Sequence, residues 1–159
     1  MRIAVIPARG GSKRIPRKNV KHFHGKPIIA YSIEVAIRSE CFDKVIVSTD
    51  DPEIARISKQ YGAEVPFTRP ATLADDHTNT IDVMSHAVGW CARNNWLLTE
   101  VCCIYPTAPF LQVDDIRKGL QIIRASDVNF VFSVTSFPFP IQRAIKLSGS
   151  GEARMFSPE

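Results

Sequence analysis

Short apolar runs alternate with longer stretches of helical periodicity along the chain. Residues 2–6 (RIAVI), 44–49 (KVIVST), 64–68 (EVPFT), 100–105 (EVCCIY) and 130–135 (FVFSVT) read as five strands. The best of them are continuously apolar, the pattern of strands covered on both faces. EVPFT is the weakest, because Pro66 cannot donate to a central ladder. Four helices are expected between and after the runs. The first starts at Pro27 and reaches about Ser39, with Ile28, Tyr31, Ile33, Val35 and Ile37 as its apolar positions. Asp51 caps the second, Pro52 opens it, Ile54, Ile57 and Tyr61 make its stripe, and Gly62 ends it. The third runs from Thr80 to about Asn94. The fourth runs from Val113 to about Ala125, with Asp114 and Asp115 in its positive first turn.

This alternation predicts an α/β fold with a mainly parallel, Rossmann-like sheet and helices on both faces, joined by right-handed crossovers. Ligands bind such sheets at the carboxyl ends of the strands. Two connections exceed the usual 2–6 residues: residues 7–26 and residues 68–79. Both follow strand ends, so both are expected on the binding rim. Past Phe137 the periodicity fails, and an extended, Pro-rich and then Gly/Ser-rich tail follows. The expected organisation is a nucleotide-binding α/β domain over 1–135 and an extended segment over 136–159 that does not look like a finished domain edge.

Composition narrows this only a little. The 159 residues, 45% hydrophobic and 23% charged, exclude wholesale disorder or a fibre. A folded chain of this length buries roughly 68–70% of its unfolded surface and needs no metal or disulfide staple. No apolar run approaches a membrane span, and the start does not read as a secretory signal. The expectation is a soluble, cytoplasmic domain. Its four cysteines make no metal or redox motif, and they read as buried core thiols in a reducing compartment.

Charge changes the picture more. The net charge is +4, yet seven Lys/Arg and no acid lie between Arg9 and Lys26, leaving thirteen bases against sixteen acids elsewhere. A protein that tracks nucleic acid spreads positive charge over a face. One basic segment instead suits a compact polyanion such as a nucleoside triphosphate; the plainer alternative is a solvated basic loop. Within it, Gly10 and Gly11 let the backbone turn N–H groups toward an anion, while Arg9, Lys13 and Lys18 can neutralise phosphate. The spacing fits neither a P-loop nor a dinucleotide fingerprint. A merely tight turn is the competing reading.

These residues carry a resemblance. IPARGGSKRIPRKN (6–19), GKPIIAYSI (25–33), VIVSTDDPEIA (45–55) and RPATLADD (69–76) closely resemble the cytidylyltransferases that activate acidic nine-carbon sugars, the sialic acid synthetases among them. IYPTAPF (104–110) stands where the sialic acid enzymes have Gln-Pro-Thr-Ser-Pro, and SVTSFPFPIQRA (133–144) looks like the pseudaminic acid branch. The resemblance implies a nucleotide-diphospho-sugar transferase-like fold and CMP transfer from CTP to the anomeric hydroxyl of a nonulosonic acid, with Mg2+ as cofactor. The partners it implies are CTP and an acidic nine-carbon sugar, with no nucleic acid and no membrane. The full-length family member is expected to be a homodimer.

Residue by residue, the resemblance places Ala8, Arg9, Gly10, Gly11, Ser12 and Lys13 in the triphosphate loop. It sets Lys18 on the phosphates and Asn19 near the ribose or base. Arg9, Lys13 and Lys18 are the expected catalytic cations. Arg69 matches a position on the cytosine side, the alternative being a surface ion pair with Asp75 or Asp76. Asp76 and Thr80 are read as shaping the same pocket, Thr80 equally as a helix cap. Tyr105 replaces the Gln of the sialic acid enzymes and is read either as a sugar contact or as a core aromatic. On the sugar side stand also Gln142, Arg143 for the carboxylate, and Phe137 with Phe139 as an apolar wall or plain packing. Asp50 and Asp51 read as a turn and a cap. No metal ligand is assigned; the resemblance sets the acidic pair that holds magnesium beyond Glu159, together with a dimerisation arm. A chain ending there is expected to bind CTP with weak or no turnover. Two other readings stay open: the same reaction on sialic, legionaminic or another keto-acid sugar, and a non-catalytic nucleotide- or RNA-binding module.

Overall fold

The structure, a computed structural model, describes residues 1–136, 138 and 144–155. The chain divides into two units, Met1–Asp127 and Val128–Glu159.

The first unit is built on a parallel sheet of three strands, β1 (Arg2–Pro7), β4 (Lys44–Ser48) and β5 (Glu100–Cys103), in the order β4-β1-β5. Ile3 is in register with Lys44 and Val101, and Val5 with Ile46 and Cys103. A two-residue hairpin pair, β2 (His22–Phe23) and β3 (Lys26–Pro27), lies inside the long loop after β1. Helices α1 (Ile28–Arg38), α2 (Pro52–Gln60), α3 (Thr80–Arg93) and α4 (Val113–Ala125) fall where the periodicity predicts them.

Strand alternation explains the two-sided core. Ala4, Ile6, Val45 and Val47 pack with Ile29 and Ile33 of α1, Ile54 and Ile57 of α2 and Ile116 of α4. The intervening Ile3, Val5 and Ile46 face Ala87 and Cys91 of α3. Each fully buried Ile, such as Ile33 or Ile46, contributes on the order of 1.5–3 kcal/mol. The Asp51 carboxylate takes the Ile54 N–H at 2.9 Å, a cap of about 1 kcal/mol. Gly62, at φ 91°, supplies the left-handed turn after α2.

Four expectations need correction. Residues 64–68 form only isolated parallel bridges, Ile46 with Glu64 and Thr49 with Thr68, because Pro66 interrupts the ladder. Residues 130–135 form no strand; Phe130, Phe132 and Val134 are exposed. β5 is not covered on both faces but alternates half-buried and exposed along its length. Of the thiols, Cys41 and Cys91 are buried, Cys102 is half-buried and Cys103 is exposed, since an edge strand hides only alternate side chains.

In the second unit, β6 (Ile145–Leu147) and β7 (Ala153–Met155) pair antiparallel around a turn closed by Gly151 N–H to the Ser148 carbonyl at 3.0 Å. Among the described residues, no helix is long and apolar enough to cross a membrane.

Candidate functional site

Parallel pairing brings the carboxyl ends of β1, β4 and β5 to one rim, and a cleft of about 630 Å³ opens there. The two long loops make its walls. Arg9, Ser12, Lys13, Lys18 and Asn19 come from the loop after β1, Arg69 and Asp76 from the connection between residue 68 and α3, and Thr80 from the start of α3; Tyr105 stands beyond β5. The size falls within the range of small-molecule sites.

The basic loop is stitched down at several points. Ala8 is fully buried and donates its N–H to the Ser48 carbonyl at 2.9 Å. Gly10 donates its N–H to Asp50 Oδ1 at 3.0 Å. A Cβ on Gly10 would lie 2.6 Å from Asp51 Oδ2, so any side chain there displaces the loop. Gly11 meets nothing within 4 Å. Arg9 and Ser12 line the cleft, whereas Ala8, Gly10 and Gly11 are not among its lining residues.

Asn19 sits in a short 3-10 helix, Lys18–Val20. It is 4% exposed and donates Nδ2–H to the Arg9 carbonyl at 2.9 Å. That bond fixes the amide's orientation and leaves Oδ1 buried without a partner on the cleft wall. A buried acceptor left in this state is met by ordered water or by a donor entering the cleft.

Arg69 is not a surface ion pair. It is 4% exposed, donating Nε–H to Ser48 Oγ at 3.1 Å and Nη2–H to the Ser48 carbonyl. Burial lowers its pKa, Arg9 adds to the shift, and Asp50 opposes it. Asp76 pairs instead with Lys13 at 2.5 Å and Arg9 at 2.7 Å. The Lys13 hydrogen bond, then that of Arg9, holds its carboxyl below the usual range. Asp75 turns away to cap the loop, accepting from Thr78 and His77.

Thr80 is not the cap of α3: Asn79 Oδ1 takes the Asp82 N–H at 2.9 Å. Thr80 is the first helical residue, and its hydroxyl lies 3.4 Å from that of Tyr105. Tyr105 is 60% exposed, which removes the core reading; Ser32 Oγ–H holds its carbonyl at 2.8 Å. Arg14, Ile15, Thr78, Asn79, Pro106 and Thr107 also line the cleft and were not singled out by pattern. The sequence carried a signal for four of them, since Arg14 and Ile15 lie inside IPARGGSKRIPRKN and Pro106 and Thr107 follow Tyr105 inside IYPTAPF. The sugar-side candidates Phe137, Phe139, Gln142 and Arg143 lie outside the described residues.

A family model described as cytidylyltransferase matches residues 3–138, a span containing every element of this cleft. The chain belongs to the cytidylyltransferase family.

Within that family it is 43% identical, over 97% of its length, to a pseudaminic acid cytidylyltransferase of Campylobacter jejuni, of which it spans 66%. A CMP-N,N'-diacetyllegionaminic acid synthase of Legionella pneumophila is 39% identical over 81% of the chain and 56% of that relative. Among solved structures, CMP:2-keto-3-deoxy-manno-octonic acid synthetase complexed with CTP superposes with a TM-score of 0.64 at 27% identity, over 78% of this chain and 47% of that one. The chain thus spans just under two thirds of the pseudaminic acid relative's length.

Proposed function

We propose that this cytidylyltransferase domain binds CTP in the cleft and that the protein transfers CMP to the anomeric hydroxyl of pseudaminic acid, releasing pyrophosphate. The observation that carries the nucleotide half is Asn19: a buried, unpartnered acceptor on the wall of a cleft whose mouth holds Arg9, Lys13 and Lys18. A ribose hydroxyl or the cytosine amino group supplies the missing donor, and the three cations meet the triphosphate. Arg69 offers fixed guanidinium donors for the pyrimidine carbonyl. The name of the 43% identical relative supports pseudaminic acid as the sugar.

In this reading the anomeric oxygen forms a bond to the α-phosphorus of CTP and releases its proton to solvent, while the bond from that phosphorus to the bridging oxygen breaks and pyrophosphate leaves with that electron pair. Arg9, Lys13 and Lys18 stabilise the charge that moves onto the leaving group, so catalysis rests on positioning and electrostatics. Tyr105 and Thr80 give the sugar side a pair of hydroxyls. Among the described residues no group of three His, Cys, Asp or Glu could hold a metal. Asp76, the acid on the cleft wall, is engaged by two cations. These residues do not by themselves form a magnesium cradle. A homodimer belongs to the same proposal and rests on the resemblance; a cytoplasmic location rests on the cysteine usage, and the division between residues 1–135 and 136–159 on the loss of periodicity past Phe137.

Calorimetric titration of the chain with CTP, UTP, ATP and GTP tests the nucleotide half; selective binding of CTP is expected, and equal affinity for all four would overturn it. Pyrophosphate release with pseudaminic, legionaminic and N-acetylneuraminic acids tests the sugar half. Preference for either of the other two sugars would replace pseudaminic acid in the reading.

A further inference from the structure

Arg17 is not among the residues that line the cleft. Its guanidinium grips Asp51 with two bonds, Nη1 to Oδ2 at 2.5 Å and Nη2 to Oδ1 at 3.0 Å, and also reaches Glu53. Asp51 is itself immobilised, as it caps α2 through the Ile54 N–H and stands against Gly10. The partners shift each other: Asp51 hydrogen bonding raises the Arg17 pKa, and Arg17 lowers that of Asp51. Arg17 adopts a left-handed conformation, φ 56°, that is uncommon for a residue with a side chain. Immediately after it the chain enters the 3-10 helix carrying Lys18 and Asn19, and Val20 and Lys21 donate their N–H groups to the Arg17 carbonyl at 3.0 Å.

We infer that Arg17 is a positioning residue: the Arg17–Asp51–Glu53 clasp ties the loop to the first turn of α2 and so sets where Lys18 and Asn19 stand in the cleft. Bidentate Arg–carboxylate pairing fixes orientation as well as distance. α2 is anchored in the core through Ile54 and Ile57, so the clasp adds a tie from the packed core to the loop just before Lys18 and Asn19. The role in nucleotide binding rests on the proposed function; the role in ordering the loop does not.

The experiment therefore has two readouts on the 159-residue chain. In the ligand-free protein, Arg17→Ala is expected to speed amide exchange at Val20 and Lys21 while leaving α3 unchanged, and Arg17→Lys to restore part of the protection. In CTP titrations, Arg17→Ala and Asp51→Asn are each expected to weaken binding about five- to tenfold. Asn remains a good helix cap, so Asp51→Asn removes the charge and keeps α2. The double variant binds no more weakly than either single one, because both break the same link. Arg17→Gly separates backbone from side chain: it suits φ 56° yet lacks the guanidinium, and it is expected to behave like Arg17→Ala. Unchanged exchange at Val20 and Lys21 in Arg17→Ala overturns the clasp whatever the nucleotide does. Wild-type CTP affinity in Arg17→Gly overturns the clasp's role in nucleotide binding. A wild-type chain that fails to bind CTP while the exchange result holds overturns the nucleotide reading and leaves the clasp as a loop-ordering device.

Discussion

The guanidinium of Arg9 and the carboxylate of Asp76 meet at 2.7 Å, joining the loop after β1 to the connection that precedes α3. Lys13 reaches the second oxygen of the same carboxylate at 2.5 Å. One acidic side chain thus engages two cations assigned to the triphosphate. An incoming phosphate has to compete with it.

That competition gives the first prediction. Asp76→Asn keeps the size of the side chain and removes its charge, releasing Arg9 and Lys13 for an external anion. Inorganic triphosphate and pyrophosphate are expected to bind the variant several-fold more tightly in a calorimetric titration at low salt. Weaker binding would show that Asp76 works with the ligand rather than against it.

Asn19 bears on stability and on binding together. In Asn19→Ala the Arg9 carbonyl loses its amide partner, a loss of about 1–3 kcal/mol for a part-buried group. The melting temperature should fall by roughly 2–10 °C in a chain of this length. CTP affinity should fall as well, because the Oδ1 acceptor is gone. A variant that melts lower yet binds CTP as before would confine Asn19 to a structural part.

Arg69 separates packing from recognition. Arg69→Ala strips the Ser48 carbonyl and hydroxyl of a buried charged donor and is expected to cost about 3 kcal/mol, read by denaturant melts. Arg69→Lys keeps the charge but not the planar fork. It is expected to fold and to bind CTP several-fold more weakly than the parent, because Lys cannot present the same fixed donors to the pyrimidine carbonyl. Unchanged CTP affinity would move the pyrimidine contact elsewhere.

His86 predicts a pH dependence. Its ring stands at 5.0 Å from that of Phe67, and Nδ1 is buried without a partner. Burial, with Arg93 and Arg69 as lesser causes, pushes its pKa below the ordinary value. The unfolded chain then takes up the proton more readily, so the neutral ring's contribution is complete above about pH 6.5 and is lost as pH falls below it. Melting temperatures between pH 7.5 and 5.5 should decline, and His86→Phe should flatten that decline. An identical slope in the variant would place the proton uptake on other groups.

Local chemistry explains which parts of the fold could be read in advance. Asp51-Pro52 and Gly62 are start and stop signals acting within a turn, and α2 begins where they dictate. α4 follows its apolar spacing in the same way. Strands are different, because a β-prone run becomes a strand only beside another edge. Residues 130–135 have the composition without a ladder, and residues 64–68 obtain two bridges in place of one. In the site, Arg9, Lys13 and Lys18 were legible because seven bases in one loop need a counter-charge. Arg17 was legible only as one of those seven. Its partners Asp51 and Glu53 are more than thirty residues away, and no local pattern announces a pairing of that span. The burial of Arg69 was hidden because Ser48, at the end of a strand 21 residues earlier, takes its guanidinium.

The central place of β1 bears on how binding should be followed. Flanked by β4 and β5, with Ile3, Ala4, Val5 and Ile6 wholly inaccessible, this strand can exchange its amide hydrogens with solvent only when the whole domain opens. Its deuterium uptake is therefore a clock for global unfolding, whereas uptake in residues 7–26 reports local opening. A ligand that slows both clocks equally has stabilised the fold, and one that slows the loop alone has ordered the loop. Two readings from one labelled sample then divide the energy of nucleotide binding between the cleft wall and the protein behind it.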